Sequence, residues 1–488
     1  MKEFAITPQK QSNFSQWYLE IIKEADLAEH SPVRGCMIIK PHGYGIWEKI
    51  QEILDKKLKE TDHENVYFPL LIPLKFIEKE SNHIKGFAKE CAVVTHHKLK
   101  NIDGKLVPDS PLEEPFIIRP TSETIIGNFY SSCVKSYRDL PIKINQWSNV
   151  MRWELRPRLF LRTSEFLWQE GHTIHETQFE AKAHTQTMLD LYSNFIENYL
   201  AIPVFKGLKT PDERFPGALE TYCLEAQMQD GKALQAATSH FLGQNFSKAF
   251  NISFLNRNGQ KEFAWTTSWG ISTRLIGAII MSHSDNNGLI LPPLIAPKQV
   301  VLIPILKQKN LNDKIISLCK KIKTILLEHS ISSFIDQKDE NGGEKVWKNI
   351  KKGIPVRIEI GPIELQKHNV SVSCRTWDPL KKIELPIVRL PDNILLLLKN
   401  IQKDLFQNAL SRTIKQTISI YSLNDFHNFF SNNAGFAISF WHPNANNHPL
   451  FAKYKVSIRC ILLSSQHEGI CPFSKQKTYN KILIAKAY

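Results

Sequence analysis

Between residues 152 and 173 the chain reads RWELRPRLFLRTSEFLWQEGHT, four arginines and three glutamates interleaved with Trp153, Phe160, Phe166 and Trp168. A buried strand holds so many charges only if each has a partner, because an unpaired charge inside a protein is very costly. Arginines alternating with aromatics point to two antiparallel strands whose inner face binds an anion, since the planar guanidinium grips carboxylate or phosphate at two places. An exposed hairpin laced with ion pairs would satisfy the same charges.

The rest of the chain narrows the class. A length of 488 residues suggests two to four domains, and 42% hydrophobic with 23% charged residues is a globular balance that excludes a disordered or collagen-like chain. The densest apolar patch, Ile394 to Leu398, soon meets Lys399 and Lys403, so no stretch has the length of a membrane span. MKEFAITPQK lacks the apolar segment of a secretory signal, and eight widely spaced cysteines do not suggest a disulfide framework. A soluble, cytoplasmic location is expected. Charge is unevenly placed: residues 1–300 hold 34 Lys and Arg against 34 Asp and Glu, whereas 301–488 hold 28 against 14. A neutral front joined to a basic rear suggests that the rear engages a polyanion, with a solvated lysine-rich surface as the alternative.

Apolar periodicity predicts helices over 43–60, 124–137 and 176–199, and a buried strand over VYFPLLIP (66–73), interrupted by prolines that suit an edge or a strand end. Three prolines in LPPLIAPKQ (291–299) mark a domain boundary. Beyond it strands over 300–306, 356–360 and 369–374 alternate with helices around 311–325 and 344–351, which implies a small, largely parallel sheet. The expected units are 1–292, 293–402 and 403–488.

GxxxxGK[ST], GxGxxG, HExxH and CxxC are all absent, which disfavours a P-loop or Rossmann nucleotide site. Four separated blocks remain: RPTSE (119–123), the arginine tract, DGKALQAATSHFLGQNF (230–246) with its pocket-lining polar residues, and SWGISTRLIGAIIMSHSDNNGLILPP (268–293). The last puts Arg274 at the start of an apolar helix, Leu275 to Met281. Arginines from strands and from a helix could clamp a triphosphate without a glycine loop.

These blocks resemble the signature motifs of class II aminoacyl-tRNA synthetases, and among them the prolyl-tRNA synthetases of the archaeal/eukaryotic-like type. PVRGCMIIKPHGYGIWEKIQEIL and ENVYFPLLIP, with Pro41 and Pro69, resemble motif 1. NQWSNVMRWE with FLRTSEFLWQEGHT resembles motif 2, SWGISTRLIG motif 3, and RPTSE the amino-acid-recognition loop. The resemblance implies an α+β catalytic domain on an antiparallel sheet, an α/β anticodon-binding-like domain and a small C-terminal α/β domain. It implies activation of L-proline by ATP with Mg2+, transfer to tRNA(Pro), and a homodimer through the motif 1 region.

Roles follow by matching positions. Arg152 would bridge the α-phosphate and the proline carboxylate. Glu154 and Thr163 would lie near the adenine, with Phe166 on one face and Arg274 on the other. Arg162 and Arg274 would hold the outer phosphates. Gln235, Thr238 and Ser272 would also contact ATP, Gln235 near magnesium. Thr121 and Glu123 would grip the secondary ammonium, with Trp168, Glu170, His172 and His240 walling the proline pocket. Only about ninety residues separate Thr173 from Ser268, too few for the editing domain that bacterial-type members insert there.

The pattern departs from the family toward the C-terminus. GPIEL (361–365) puts Ile363 where arginine is usual, and CRTW (374–377) replaces an RRD-like strand, leaving Arg375 as the remaining cation. Cys460 and Cys471 match the second pair of a four-cysteine zinc site, whereas His442, Asn447 and His448 stand near the missing first pair. Zinc is therefore not expected. Tyr488 matches the family's terminal tyrosine. Two other readings are an impaired paralogue serving as an RNA-binding or regulatory module, and a ligase for a different carboxylate. Retention of Arg152, Arg274 and Glu123 speaks against the first, and the RPTSE loop with the basic rear speaks against the second.

Overall fold

The computed structural model describes residues 5–78, 91–306, 308–432, 434–463 and 467–488. The main sheet is built from residues 142–151, 165–175, 204–208, 220–227, 233–243 and 265–272, with neighbours along the ladder antiparallel. The helix Gln178–Tyr199 covers one face. Its buried stripe of Met188, Leu189, Tyr192, Phe195 and Ile196 recurs at helical spacing, so the amphipathic pattern is what binds it to the sheet. Thr177 and Glu180 form a capping box that fixes where this helix starts. The helix Pro41–Lys59 enters the same core through Ile46, Trp47, Ile50, Leu54 and Leu58, and the helix Arg274–His283 is buried along nearly its whole length.

Several expectations change. Residues 66–70 are not a strand, and only Glu64–Asn65 and Leu71–Pro73 of that stretch pair. Prolines at 69 and 73 cannot donate to a ladder and confine pairing to short edges. The arginine tract is not two complete strands. Pairing runs from Ile142–Met151 to Glu165–His175, and residues 152–164 loop between them, so Arg152, Arg156, Arg158 and Arg162 lie on the loop rather than on a sheet face. The loop placement leaves most of these guanidinium groups in contact with water.

The second unit is mixed rather than largely parallel. Val300–Pro304 pairs in parallel with Ser333–Ile335 and Val356–Ile360, whereas Val356–Ile360, Asn369–Cys374 and Ile383–Pro386 pair antiparallel in succession. Arg375 is not a free cation of this unit. Its guanidinium is buried, donating to Asp285 Oδ2 at 3.1 Å and to the carbonyls of Leu289, Ile350 and Gly288, so it fastens the unit to the catalytic one. Ile363 is 62% exposed.

The expected break at 402/403 falls inside a continuous helix, Leu390–Lys415. The C-terminal strands Thr417–Ile420, Phe436–Phe440, Lys481–Ala485 and Ser457–Leu462 then extend the main sheet itself: Ile461 and Leu462 pair with Leu208 and Gly207. Among the described residues this makes one sheet of eleven strands. No helix among them is long and apolar enough to cross a membrane.

Candidate active site

Side-chain alternation along two neighbouring strands builds one wall. Phe166, Trp168, Glu170 and His172 are two residues apart and share a face, and Ser268, Gly270 and Ser272 sit opposite His172, Glu170 and Trp168. Gly171 faces the other way, where a Cβ would lie 2.0 Å from the Trp269 ring, so only glycine fits beneath that indole. The strand Ala233–Gly243 adds Gln235, Thr238 and His240. Gln235 and Thr238 are three apart and would point to opposite faces of a regular strand. A bulge solves this: Glu225 pairs with Gln235 and Leu224 with Ala237, leaving Ala236 as the extra residue.

These walls enclose a cavity of about 140 Å³, completed by Thr121, Glu123, Arg152, Phe215 and Arg274. A second hollow of about 570 Å³ shares Gln235 and Arg274 with it and adds Arg156, Arg158, Arg162, Lys232, Arg459 and Tyr488. The motif residues expected at the amino-acid end, Thr121, Glu123, Arg152, Trp168, Glu170, His172 and His240, thus share one hollow with Phe166, Gln235, Thr238, Ser272 and Arg274. Arg162 stands in the adjoining one. Glu154 and Thr163 are in the walls of neither: Glu154 lies 3.4 Å from Arg162 Nε, and Thr163 donates to the Glu165 carbonyl.

Charge inside the cavity is arranged in two opposed groups. At one end Glu123 occupies the first turn of the helix Glu123–Cys133, where the positive end of the helix dipole favours a carboxylate, and Thr121 donates to it. Glu170 accepts from His172 Nε2 at 3.0 Å, Gln146 Nε2 at 2.8 Å and Ser122. Burial works against its ionisation, but these bonds outweigh it and hold the carboxyl below its usual range. Burial likewise opposes the charge on His172, and Glu170 overcomes it, so that imidazole titrates above its usual value. His240 goes the other way, to about 3, through burial and the neighbouring His172 charge. It is a neutral wall that accepts or donates one bond with Thr221 Oγ1 at 3.0 Å and lies 4.6 Å from the Phe215 ring.

At the other end the cations gather. Arg152 Nε donates to the Pro120 carbonyl at 2.9 Å, and its guanidinium lies 5.8 Å and 5.5 Å from the rings of Phe166 and Trp168. Arg274 is the first residue of its helix, where a positive charge is disfavoured, and donates to the Leu161 carbonyl at 3.1 Å. Burial, then repulsion from Arg162 and Arg152, bring it down to about 10. Three guanidinium groups held within range of mutual repulsion are relieved by an anion between them.

Some participants escaped sequence reasoning. Arg119 of RPTSE is 1% exposed and donates to the carbonyls of Phe68 and Asn149, both at 2.7 Å, so it holds the loop rather than touching the cavity. Ser122 and Gln146 orient Glu170. Ser268 Oγ lines the cavity and, among the described residues, is buried without a hydrogen-bond partner. Arg119, Ser122 and Gln146 carried no signal, because each acts on a partner far away in the chain. Cys460 and Cys471, by contrast, are not brought into one site. Cys460 packs beside Cys223, and Cys471 belongs to a different core with Phe426 and Trp441. His442 and His448 each accept through Nδ1 from the backbone amide two residues on, and among the described residues no group of three or more His, Cys, Asp or Glu could hold a metal.

An antiparallel sheet carrying a guanidinium-lined hollow, followed along the chain by a basic mixed α/β unit, has the architecture of a class II tRNA synthetase. Residues 106–283 match the tRNA synthetase class II core domain (G, H, P, S and T), and residues 299–396 match the anticodon binding domain. The chain is 52% identical to the proline–tRNA ligase of Bdellovibrio bacteriovorus over the whole of both chains. It is 48% identical to that of Protochlamydia amoebophila, over 99% of this chain and 98% of the other. Its fold is similar to the crystal structure of prolyl-tRNA synthetase from Cryptosporidium parvum complexed with halofuginone and AMPPNP, with TM-score 0.91, 36% identity and 99% of each chain covered. The chain belongs to the proline–tRNA ligase family.

Proposed function

We propose that the chain joins L-proline to tRNA(Pro) in two steps at the cavity described above. The carboxylate of proline attacks the α-phosphorus of ATP; the bond to the bridging oxygen breaks, and pyrophosphate leaves with its electron pair. A ribose hydroxyl at the tRNA 3′ end then attacks the prolyl carbonyl and AMP leaves. The first step needs neutralisation of charge and in-line positioning rather than a base, because the nucleophile is already ionised. The observation that carries the reading is the convergence of Arg152 and Arg274 on one hollow with Glu123, beside a second hollow that Arg162 lines.

On this reading Arg152 spans the proline carboxylate and the α-phosphate, and Arg162 and Arg274 hold the outer phosphates. Phe166 supports the adenine, while Thr121 and Glu123 take the imino-acid ammonium within walls of Trp168, His172 and His240. Ser272 and Thr238 offer hydroxyls, and Glu154 braces Arg162. Magnesium fits as an ion that enters with ATP: Gln235 offers an amide oxygen, while the facing carboxylate, Glu225, is committed to Lys209 and Arg459. When bound, it would neutralise phosphate charge. A second copy of the chain would cover the motif 1 surface, where Val33, Ile38, Tyr44 and Tyr67 are exposed, and sedimentation at twice the chain mass would show it.

The basic rear half and the match to an anticodon binding domain support tRNA as the polymer partner. Pyrophosphate exchange across a panel of amino acids tests the whole reading. Proline should drive it, and alanine more weakly, because an apolar pocket separates small side chains by only about 1–3 kcal/mol. Exchange driven by another amino acid but not proline would overturn the substrate, and silence with every one would favour the impaired paralogue.

A further inference from the structure

Outside the catalytic hollow, a buried ionic triad joins two parts of the chain. Glu225 is fully buried on the strand Glu220–Gln227. Lys209 Nζ donates to its Oε1 at 3.0 Å. Arg459, on the C-terminal strand Ser457–Leu462, donates to both oxygens, from Nε to Oε2 at 3.1 Å and from Nη2 to Oε1 at 3.0 Å. Lys209 Nζ also donates to the Arg459 carbonyl at 2.7 Å, so the lysine holds the incoming strand by backbone as well as by charge. The triad sits where the C-terminal strand joins the main sheet by only two residue pairs. Buried ion pairs add little net stability over apolar side chains of the same volume. Their presence at a sparse junction therefore asks for another reason.

The position supplies one. Glu225 is the ladder partner of Gln235, which belongs to both hollows. Arg459 lines the second hollow together with Arg162 and Arg274. We infer that Arg459 is a positioning residue for ATP, delivered by the C-terminal unit, which occupies the Glu225 carboxylate so that Arg274 remains available to the polyphosphate. With Lys209 and Arg459 in place the triad has a net charge of +1 and presents no carboxylate to the phosphate end. Without Arg459 one carboxylate would face a single lysine within electrostatic range of Arg274, whose charge Glu225 already favours. The phosphates and Glu225 would then compete for the same guanidinium. The C-terminal unit thereby becomes part of the ATP site without touching the nucleotide base or the amino acid.

This inference rests on the ligase reading above, and the exchange assay separates the two, because the unaltered enzyme tests that reading alone. Arg459→Met should raise the KM for ATP on the order of tenfold, the scale of a lost coupling in a charged network, with the KM for proline changed less than twofold. Arg459→Lys should recover most of the ATP affinity; should the methionine variant fail to fold, Arg459→Gln, which removes the charge but keeps a hydrogen-bond donor toward Glu225, serves in its place with the same expected rise in the KM for ATP. The double variant Arg459→Met with Glu225→Gln should bind ATP better than Arg459→Met alone, since the competing carboxylate is gone. Equal losses for ATP and proline, or a fall in melting temperature with both KM values unchanged, would reduce Arg459 to a structural role and overturn the inference. A double variant as weak for ATP as Arg459→Met would overturn it as well, by showing that Arg459 does not act through Glu225.

Discussion

Arg152→Ala should lower proline-dependent pyrophosphate exchange by about 10²–10³-fold, the loss found when one preorganised donor to developing negative charge is removed. The fold should survive. This side chain donates to the Pro120 carbonyl at 2.9 Å and packs against two aromatic faces, contacts worth on the order of 1–2 kcal/mol together. A thermal melt recorded beside the exchange assay distinguishes lost chemistry from lost structure. Arg152→Lys should fall between, because an ammonium keeps the charge but not the planar fork that reaches a carboxylate and a phosphate at once. Exchange within threefold of the unaltered enzyme for the alanine variant would remove Arg152 from the mechanism.

How the site could be read from sequence follows from which of its features are local. The face shared by Phe166, Trp168, Glu170 and His172 is a period of two, and the helix starting at Arg274 is a run of apolar residues after a threonine; both are visible in a short window. Gln235 and Thr238 were recognisable only through the motif, since their common face depends on a bulge at Ala236 that no alternation announces. The loop carrying Arg156, Arg158 and Arg162 reads as strand because its aromatics imitate alternation, and that its pairing shrinks to a single bridge between Arg158 and Arg162 shows only in three dimensions. Charges were the least legible of all. Arg119, Arg375 and Arg459 look alike in a basic sequence, yet one locks the recognition loop, one fastens the anticodon-binding unit, and one completes a buried triad. Each is defined by a partner dozens to hundreds of residues away. The extension of the catalytic sheet by the C-terminal strands was hidden for the same reason: edge-to-edge pairing leaves no mark on either strand's own pattern.

Stability should fall steeply as pH drops from about 6.5 toward 4, and a histidine cluster beneath the site should account for much of the slope. His63 and His184 pack against Trp269 and His175 against His184, with His63 Nε2 and His184 Nε2 3.3 Å apart and ring centroids of His175 and His184 5.1 Å apart. Burial, reinforced by Lys143 and, for His175 and His184, by neighbouring histidine charge, takes them down to about 4, 4 and 2 respectively. An unfolded chain would bind their protons near pH 6.5, whereas the folded one refuses them until far lower. The unfolded state therefore takes up more protons as pH falls through this window, and each histidine withdraws on the order of 2 kcal/mol by pH 5. His172 has the opposite sign: its folded value is raised, so its contribution is full at low pH and disappears as pH rises through that value. Its contribution therefore runs against the cluster's. Since a whole domain is stable by only about 5–15 kcal/mol, the urea midpoint at pH 5 should lie well below that at pH 7.5. His63→Gln with His184→Gln should flatten the dependence while leaving His175, His240, His283 and the carboxylates to titrate. An unchanged slope in that variant would acquit the cluster. Because His63 and His184 pack on the Trp269 ring, which lies against Gly171 on the face turned away from the cavity, their protonation should also release that indole before the chain unfolds, and tryptophan emission should shift at a higher pH than the loss of helix.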